Sequence, residues 1–276
     1  MNTDTFVDLH LHTRHSDGSD SPAVVVARAV AAGASAIALT DHATVAVVAA
    51  GRVAARNAGL GFLSGTEIST GFKGREVHVL GLGIDIENEA LCAALGALCH
   101  ARQRRGRDIL ERLAELDIHL PESLVADGGE AFGRMHIARA MTDAGYVKKP
   151  QEAFDRYLNG GKAAFVPKKT LPVAEAVDCI HGAGGLAFVA HPGLGKTVRK
   201  LLPELLLLPF DGIEAYHISH TPGRVDEFLV LAGDRGLLVS GGSDCHGTIK
   251  GKALLGRVRT PRAVYEAIVK QIGGGS

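Results

Sequence analysis

Tryptophan is absent from the 276-residue chain, and aromatic residues make up only 5% of it. Alanine, valine and leucine must therefore supply most of the packing in the core, which a chain of this length can bury as one large domain. Lys and Arg together number 30, and so do Asp and Glu. This balance excludes a general electrostatic attraction to nucleic acid or to an anionic membrane, so any recognition of an anion must be local.

No two cysteines show CxxC spacing, and no apolar stretch is long enough to span a bilayer. The longest such stretch, LLPELLLLPF at 201–210, is interrupted by Glu204 and two prolines. Residues 1–5 are largely polar and do not resemble a secretory leader. These absences predict reduced thiols, no association with membranes and a location in the cytoplasm.

Short apolar runs alternate with helical patterns over most of the chain. The first helix is predicted with Ser21 as its N-cap, Pro22 at its first position and Gly33 as its terminator. Strands of about five residues that alternate with helices are typical of a mostly parallel α/β fold. Catalytic groups in such folds gather where the strands end.

The pattern changes between about residues 92 and 165, where two amphipathic helices are predicted. The second comprises MHIARAMTDAGYV, and the first places four apolar residues on one face: Ile109, Leu110, Leu113 and Leu116. We expect residues 96–165 to form a helical insertion that contributes to the substrate pocket. Residues 1–95 and 166–276 would then form a barrel.

Histidines and carboxylates concentrate in or just after the predicted strands. Nine residues share this placement: His10, His12, Asp17, His42, Glu67, His78, His191, Asp244 and His246. The period of two in DLHLH places the first two on the same face of a strand. Each residue alone would more often have a structural role, but together in one barrel they would need cations. Nine ligands exceed what one ion accepts, so the sequence predicts two or three divalent metals, with Glu67 free to bridge a pair.

These positions carry a family resemblance. The motifs DLHLHTRHSDGSDSP, ALTDHATVA, GTEIS, EVHVLGLGID, AHPG and GGSDCHG, in this order, resemble those of the PHP (polymerase and histidinol phosphatase) family of metal-dependent phosphoesterases. FGRMHIARAMTDAGYV and GGKAAFVP resemble a stand-alone bacterial subgroup with a helical insertion. The resemblance implies a distorted, TIM-like (β/α)7 barrel with a trinuclear site, in which manganese is expected and iron or zinc is the alternative.

The resemblance also implies how the ligands divide among the metals. The first metal would take His10, His12, Glu67 and Asp244; the second Glu67, His78 and His191; and the third Asp17, His42 and His246. Catalytic roles are expected for four of these residues: Asp17, Glu67, His191 and His246. Three other positions depart from the family pattern without removing a ligand: Ala43, Met135 and Cys245.

The implied reaction is hydrolysis of nucleotide phosphomonoesters, which converts 3',5'-bisphosphonucleosides to 5'-nucleotides and phosphate. The subgroup also includes 5'-to-3' exoribonucleases that act on short RNA. One alternative is histidinol-phosphate phosphatase, in which this insertion is not expected. A non-catalytic PHP module that partners a polymerase is the alternative of another class. No obligate protein partner is evident from the sequence.

Substrate contacts are expected outside the metal ligands. Arg134 and His136 begin a predicted helix, where a guanidinium and helix N-terminal amides can bind phosphate. A surface arginine and a capping histidine are the structural alternative. Ser16 and His217 are further candidates that could instead support the ligands, and His217 is also a candidate proton donor.

Overall fold

The computed structural model describes residues 5–127, 132–248 and 254–274. Over these residues the strands are β1 Phe6–Leu11, β2 Ala34–Leu39, β3 Gly61–Phe72, β4 Arg75–Leu82, β5 Leu171–Pro172, β6 Leu186–Val189, β7 Gly212–His217, β8 Leu238–Gly242 and β9 Thr260–Pro261. The helices are α1 Pro22–Ala32, α2 Val48–Asn57, α3 Glu89–Ala114, α4 Ser123–Asp127, α5 Arg134–Asp143, α6 Pro150–Ala153, α7 Val173–Gly182, α8 Lys196–Leu205, α9 Pro222–Arg235 and α10 Arg262–Gly273, and α6 continues into a π-helical turn at Phe154–Leu158.

The chain divides into two compact units, and all of these strands belong to the first. The first unit comprises residues 1–95 and 170–276, and the second comprises residues 96–169 and is helical. None of the described helices is long and apolar enough to cross a membrane.

The sheet of the first unit curls into a nearly closed barrel, which confirms the predicted α/β barrel. Its strand order is β8-β7-β6-β4-β3-β2-β1-β9, and β5 pairs with β3. The barrel closes through two backbone hydrogen bonds of 3.0 Å: the His12 N–H donates to the Cys245 carbonyl, and the Asp244 N–H donates to the His10 carbonyl. Closure therefore joins the first strand to the segment that follows β8.

Strand β4 runs against the expected direction, as does the two-residue strand β9, which is antiparallel to β1. β4 is antiparallel to both of its neighbours, β3 and β6, whereas the sequence pattern predicted mostly parallel strands. The cause is the two-residue turn between β3 and β4, in which Lys73 and Gly74 both have positive φ (48° and 72°). A turn this short can only join antiparallel strands, because a parallel connection needs a crossover.

The first helix forms as its sequence predicts. The Ser21 hydroxyl accepts from the Val24 N–H at 3.4 Å, Pro22 occupies the first position, and Gly33 ends the helix at φ 83°. β1 is buried on both faces, with Val7 and Leu9 in an apolar cluster. The alternate face of β1 carries Asp8 and His10, because successive side chains of a strand point in opposite directions.

The second unit has an apolar core of its own, which includes Ile109, Leu110 and Leu113 from α3. The prediction that Leu116 shares their buried face is wrong, since Leu116 is 41% exposed. Helix α3 ends at Ala114, so the helical period no longer applies to the residues that follow. Ile118 enters the core instead.

Candidate metal centre

Glu67 lies at the centre of the polar cluster in the barrel and is 1% exposed. Its Oε1 atom is 2.7 Å from His78 Nδ1 and 2.9 Å from His191 Nε2. Its Oε2 atom is 3.2 Å from His12 Nε2 and 3.3 Å from His10 Nε2. Each oxygen of this one carboxylate therefore faces a different set of imidazoles.

The β3–β4 hairpin explains the position of Glu67 and His78. Glu67 lies in the middle of the long strand β3, and His78 lies near the start of β4. The sequence pattern predicts both residues in or just after separate strands, but the hairpin places them side by side. His78 pairs with Ser69 in the register of the two strands, two residues from Glu67.

A second group of side chains surrounds Asp17, in the loop after β1. Asp17 Oδ1 is 2.9 Å from His246 Nε2 and 3.8 Å from His42 Nε2. Asp244 Oδ1 is 3.0 Å from His12 Nε2. All nine predicted residues thus lie in one continuous cluster.

Four sets within the cluster bring their ligand atoms within 4.8 Å of one another: His10, His12, Glu67 and Asp244; His12, Asp17, His42 and His246; His42, Glu67 and His78; and His10, Glu214 and His217. The first set has the same members as the first metal site implied by the family resemblance. The second contains the implied third site together with His12.

The backbone is strained at the cluster. His191 has φ 28° and Asp244 has φ 52°, and Ala43, which follows His42, has φ 54°. A positive φ at such residues costs about 1–3 kcal/mol and persists where the surrounding structure imposes it. Backbone strain of this kind concentrates at functional sites.

The donor set fits divalent cations. The Nε2 atoms of His10 and His12 are buried and make no hydrogen bond, although both face carboxylates. Burial lowers the pKa of His12, but Asp244 and Glu67 outweigh it and raise the pKa to about 10. Burial also lowers the pKa of His10, but the neighbouring carboxylates, Glu214 above all, hold it well above its ordinary value. Imidazoles in such an acidic environment bind either protons or metal ions, and a metal ion displaces the protons.

Asp41, which the sequence pattern does not predict as a functional residue, holds the loop after β1. The Thr13 N–H donates to Asp41 Oδ1 at 2.7 Å, and the Thr13 hydroxyl donates to Oδ2 at 2.8 Å. The Ser16 hydroxyl also donates to Asp41 Oδ1, and Ser16 is only 2% exposed. Ser16 therefore anchors the loop that carries Asp17.

The sequence pattern also does not identify two further buried carboxylates, Asp8 and Glu214, as part of the site. The Asp8 carboxylate accepts from the Ser243 N–H at 2.9 Å, and burial raises the pKa of Asp8 to about 6. Glu214 accepts from His10 Nδ1 at 2.9 Å and from the His191 N–H at 2.6 Å. A carboxylate inside an apolar strand is the signal that could have identified both, because a buried charge needs a partner.

His217 lies at the edge of the cluster and is 4% exposed. His217 Nδ1 lies 2.7 Å from the Ser219 hydroxyl and 3.2 Å from the Ser219 N. Nε2 makes no hydrogen bond and lies 3.6 Å from Asp244 Oδ2. His220 differs, because both of its ring nitrogens bind backbone groups, those of Ala215 and Gly193.

Arg134 and His136 lie in the second unit, at the start of α5. Arg134 Nη1 donates to the Leu158 carbonyl at 3.1 Å, and its guanidinium packs 5.5 Å from the centre of the Phe154 ring. His136 Nδ1 accepts from the Gly133 N–H at 3.2 Å, so this histidine caps its helix. Their contact with substrate stays a prediction.

Several known proteins are similar to this chain in sequence and in fold. Residues 8–160 match the PHP domain family. A 3',5'-nucleoside bisphosphate phosphatase from Chromobacterium violaceum is 37% identical over 255 residues, 87% of this chain and 87% of that protein. A 5'-3' exoribonuclease from Haemophilus influenzae is 36% identical over 87% of this chain and 89% of its own length. A solved structure described as a metal-dependent phosphoesterase from Bifidobacterium adolescentis matches with a TM-score of 0.83 and 29% identity over 95% of each chain. The chain therefore belongs to the PHP family of phosphoesterases.

Proposed function

We propose that this protein is a metal-dependent hydrolase that removes the 3'-phosphate from 3',5'-bisphosphorylated nucleosides. The observation that carries the proposal is the convergence of six imidazoles and three carboxylates, Glu67 among them, in one barrel. The relative from Chromobacterium violaceum, at 37% identity, supports this substrate class.

Three subsets of the cluster would hold divalent ions, with manganese as the proposed metal. His10, His12, Glu67 and Asp244 would hold the first, and Glu67, His78 and His191 the second. Asp17, His42 and His246 would hold the third. When bound, such ions activate water and neutralise the charge that develops on the transferring phosphoryl group.

His217 is the proposed proton donor to the leaving oxygen. Its Nε2 lies 3.6 Å from the carboxylate of Asp244, and its Nδ1 lies 2.7 Å from the Ser219 hydroxyl. The imidazolium form would pass its Nε2 proton to the leaving oxygen and become neutral imidazole, while the Nδ1 proton stays in the hydrogen bond to the Ser219 hydroxyl. Its burial and the fixed acceptor at Nδ1 would hold the ring in one orientation.

Phosphate recognition by the helical unit completes the proposal. Arg134 and His136 at the start of α5 would bind a substrate phosphate, and Ser16 would act by holding the loop of Asp17.

The four cysteines form no disulfide, and this supports the proposed cytoplasmic location.

The test compares three substrates with protein reconstituted with Mn²⁺. We expect faster phosphate release from 3',5'-bisphosphoadenosine than from histidinol phosphate. A 5'-phosphorylated RNA oligomer tests exoribonuclease activity, which the Haemophilus influenzae relative suggests.

Faster hydrolysis of histidinol phosphate would contradict the nucleotide assignment and support the first alternative. Inactivity toward all three substrates at full metal occupancy would support a non-catalytic PHP module. Preferential digestion of RNA would keep the metal-dependent reaction but move the substrate from nucleotides to oligonucleotides.

A further inference from the structure

Glu214 forms hydrogen bonds with two of the proposed metal ligands, His10 and His191. It lies within β7 and is fully buried. Its Oε1 atom accepts from His10 Nδ1 at 2.9 Å, and its Oε2 atom accepts from the backbone N–H of His191 at 2.6 Å. These two histidines present their Nε2 atoms to opposite oxygens of Glu67, at 3.3 and 2.9 Å.

The contact with His10 determines which ring nitrogen is protonated. A carboxylate only accepts hydrogen bonds, so the proton of a neutral His10 lies on Nδ1. Nε2 is then left with a lone pair, directed toward Glu67 and Asp244. A metal ion requires this lone pair, and a carboxylate behind the ring also makes the imidazole a stronger ligand.

The contact with His191 holds an unfavourable backbone conformation. His191 has φ 28°, and its N–H would be buried without an acceptor if Glu214 were absent. A charge-assisted hydrogen bond to this N–H offsets part of the strain. The ring of His191 stacks on that of His10 with centroids 5.7 Å apart, so one carboxylate orients a pair of adjacent ligands.

We propose that Glu214 is a positioning residue that presents His10 and His191 to the metals bound at Glu67. This inference rests on the proposed metal-dependent function, and it assigns Glu214 a role that a glutamine cannot fill. A glutamine side chain has one acceptor oxygen, whereas the donors of His10 and His191 are bound by two separate carboxylate oxygens. If that oxygen accepts from His191, the amide N–H₂ donates to His10 Nδ1 and moves the ring proton to Nε2.

The test is the affinity of the Glu214→Gln variant for Mn²⁺ and Zn²⁺, measured by calorimetry and by electron paramagnetic resonance of free Mn²⁺. We expect 10- to 100-fold weaker binding of the ions at Glu67, because loss of a residue that orients a ligand has effects of about this size. This readout does not depend on turnover. If the wild-type protein binds metal but hydrolyses none of the substrates, the proposed function is contradicted, and the role of Glu214 in metal binding still stands.

Asp211→Asn is the matched control. The Asp211 carboxylate also joins a histidine ring to a backbone N–H, because its Oδ2 is 2.7 Å from both His181 Nε2 and the Ala187 N. Neither contact belongs to the metal cluster. We expect this variant to bind Mn²⁺ within threefold of the wild type, whereas equal losses in both variants would reduce Glu214 to a general structural role.

A second measurement uses the wild-type protein and remains decisive if Glu214→Gln does not fold. In ¹⁵N-histidine NMR spectra we expect His10 to keep a slowly exchanging proton on Nδ1, with and without Zn²⁺. A His10 ring protonated only at Nε2 would overturn the proposal. Wild-type affinity in a folded Glu214→Gln variant would overturn it as well.

Discussion

His12 Nε2 lies 3.0 Å from Asp244 Oδ1, although these residues come from opposite ends of the barrel sequence. Backbone hydrogen bonds hold both in place: the His12 N–H donates to Cys245, and the Asp244 N–H donates to His10. The contacts that close the barrel are therefore the contacts that bring these two ligands together. A well-formed cluster depends on a closed barrel.

Replacement of Asp244 by Asn should remove one proposed metal and most of the activity. The amide is neutral and offers a poorer oxygen ligand beside His12, so we expect kcat/KM to fall about 100-fold or more. Metal content by mass spectrometry and phosphate release measure the two effects. Asp234→Asn, at an exposed position in α9, is the control. Full metal content in Asp244→Asn would contradict the ligand assignment.

Glu67 and Asp17 should differ in the number of metals lost. Both oxygens of Glu67 face imidazoles, so Glu67→Gln should lower the occupancy of two proposed ions. Asp17 Oδ1 lies 2.9 Å from His246 Nε2, and Asp17 belongs to one proposed ion, so Asp17→Asn should lower the occupancy of that ion alone. Titration with Mn²⁺ at equal protein concentration gives the stoichiometry. Equal losses in both variants would argue against a shared carboxylate.

The stability of the metal-free protein should fall as the pH rises. The folded protein raises the pKa of His12 to about 10, above the value of about 6.5 in unfolded chains. The protonated ring therefore stabilises the fold below pH 6.5, and this contribution is lost as the pH rises toward 10.

Metal ions should replace that contribution, because they bind deprotonated imidazole and bind more tightly as the pH rises. We expect the Tm gain from saturating Mn²⁺ to grow between pH 6.5 and pH 10 in thermal unfolding scans. In His12→Ala the growth should be smaller. A Tm gain that stays constant with pH in the wild type would contradict the assignment.

Arg134→Ala should weaken substrate binding more than it weakens the fold. Loss of a phosphate contact should raise KM or lower kcat/KM, about 10-fold or more for a charge-assisted contact. Its hydrogen bond to Leu158 and its packing on Phe154 predict a small decrease in Tm as well. Arg156→Ala is the control, because this half-exposed arginine lies in the same unit and pairs with Glu152. Unchanged kinetics in Arg134→Ala would contradict the phosphate contact.

Two glycines should respond to alanine in opposite directions. A Cβ atom at Gly242 would lie 2.4 Å from His10 Cβ, so Gly242→Ala should displace His10, weaken metal binding and lower Tm. Gly233, in α9, has open space around such an atom. Gly233→Ala should therefore raise stability by about 0.5–1 kcal/mol. Unchanged metal affinity in Gly242→Ala would show that the barrel adjusts at this position.

The amino-acid sequence by itself determined the local structure and the chemistry of this protein. Ser21, Pro22 and Gly33 define the first helix because capping and backbone preferences act within a few residues. The period of two in β1 places His10 in the barrel, and the spacing of the nine histidines and carboxylates with the strands was enough to predict their convergence. The prediction of Leu116 in the core was wrong because its helix ends two residues earlier.

Only the tertiary structure decided the direction of β4, the shared position of Glu67 and the role of Glu214. A turn of two residues reverses β4, and this reversal places His78 beside Glu67. Glu214 contacts His10 and His191 from a strand distant in sequence, so no local pattern connects the three residues. Local preferences depend on neighbours along the chain, whereas the partner of a buried carboxylate depends on which strands the barrel brings together.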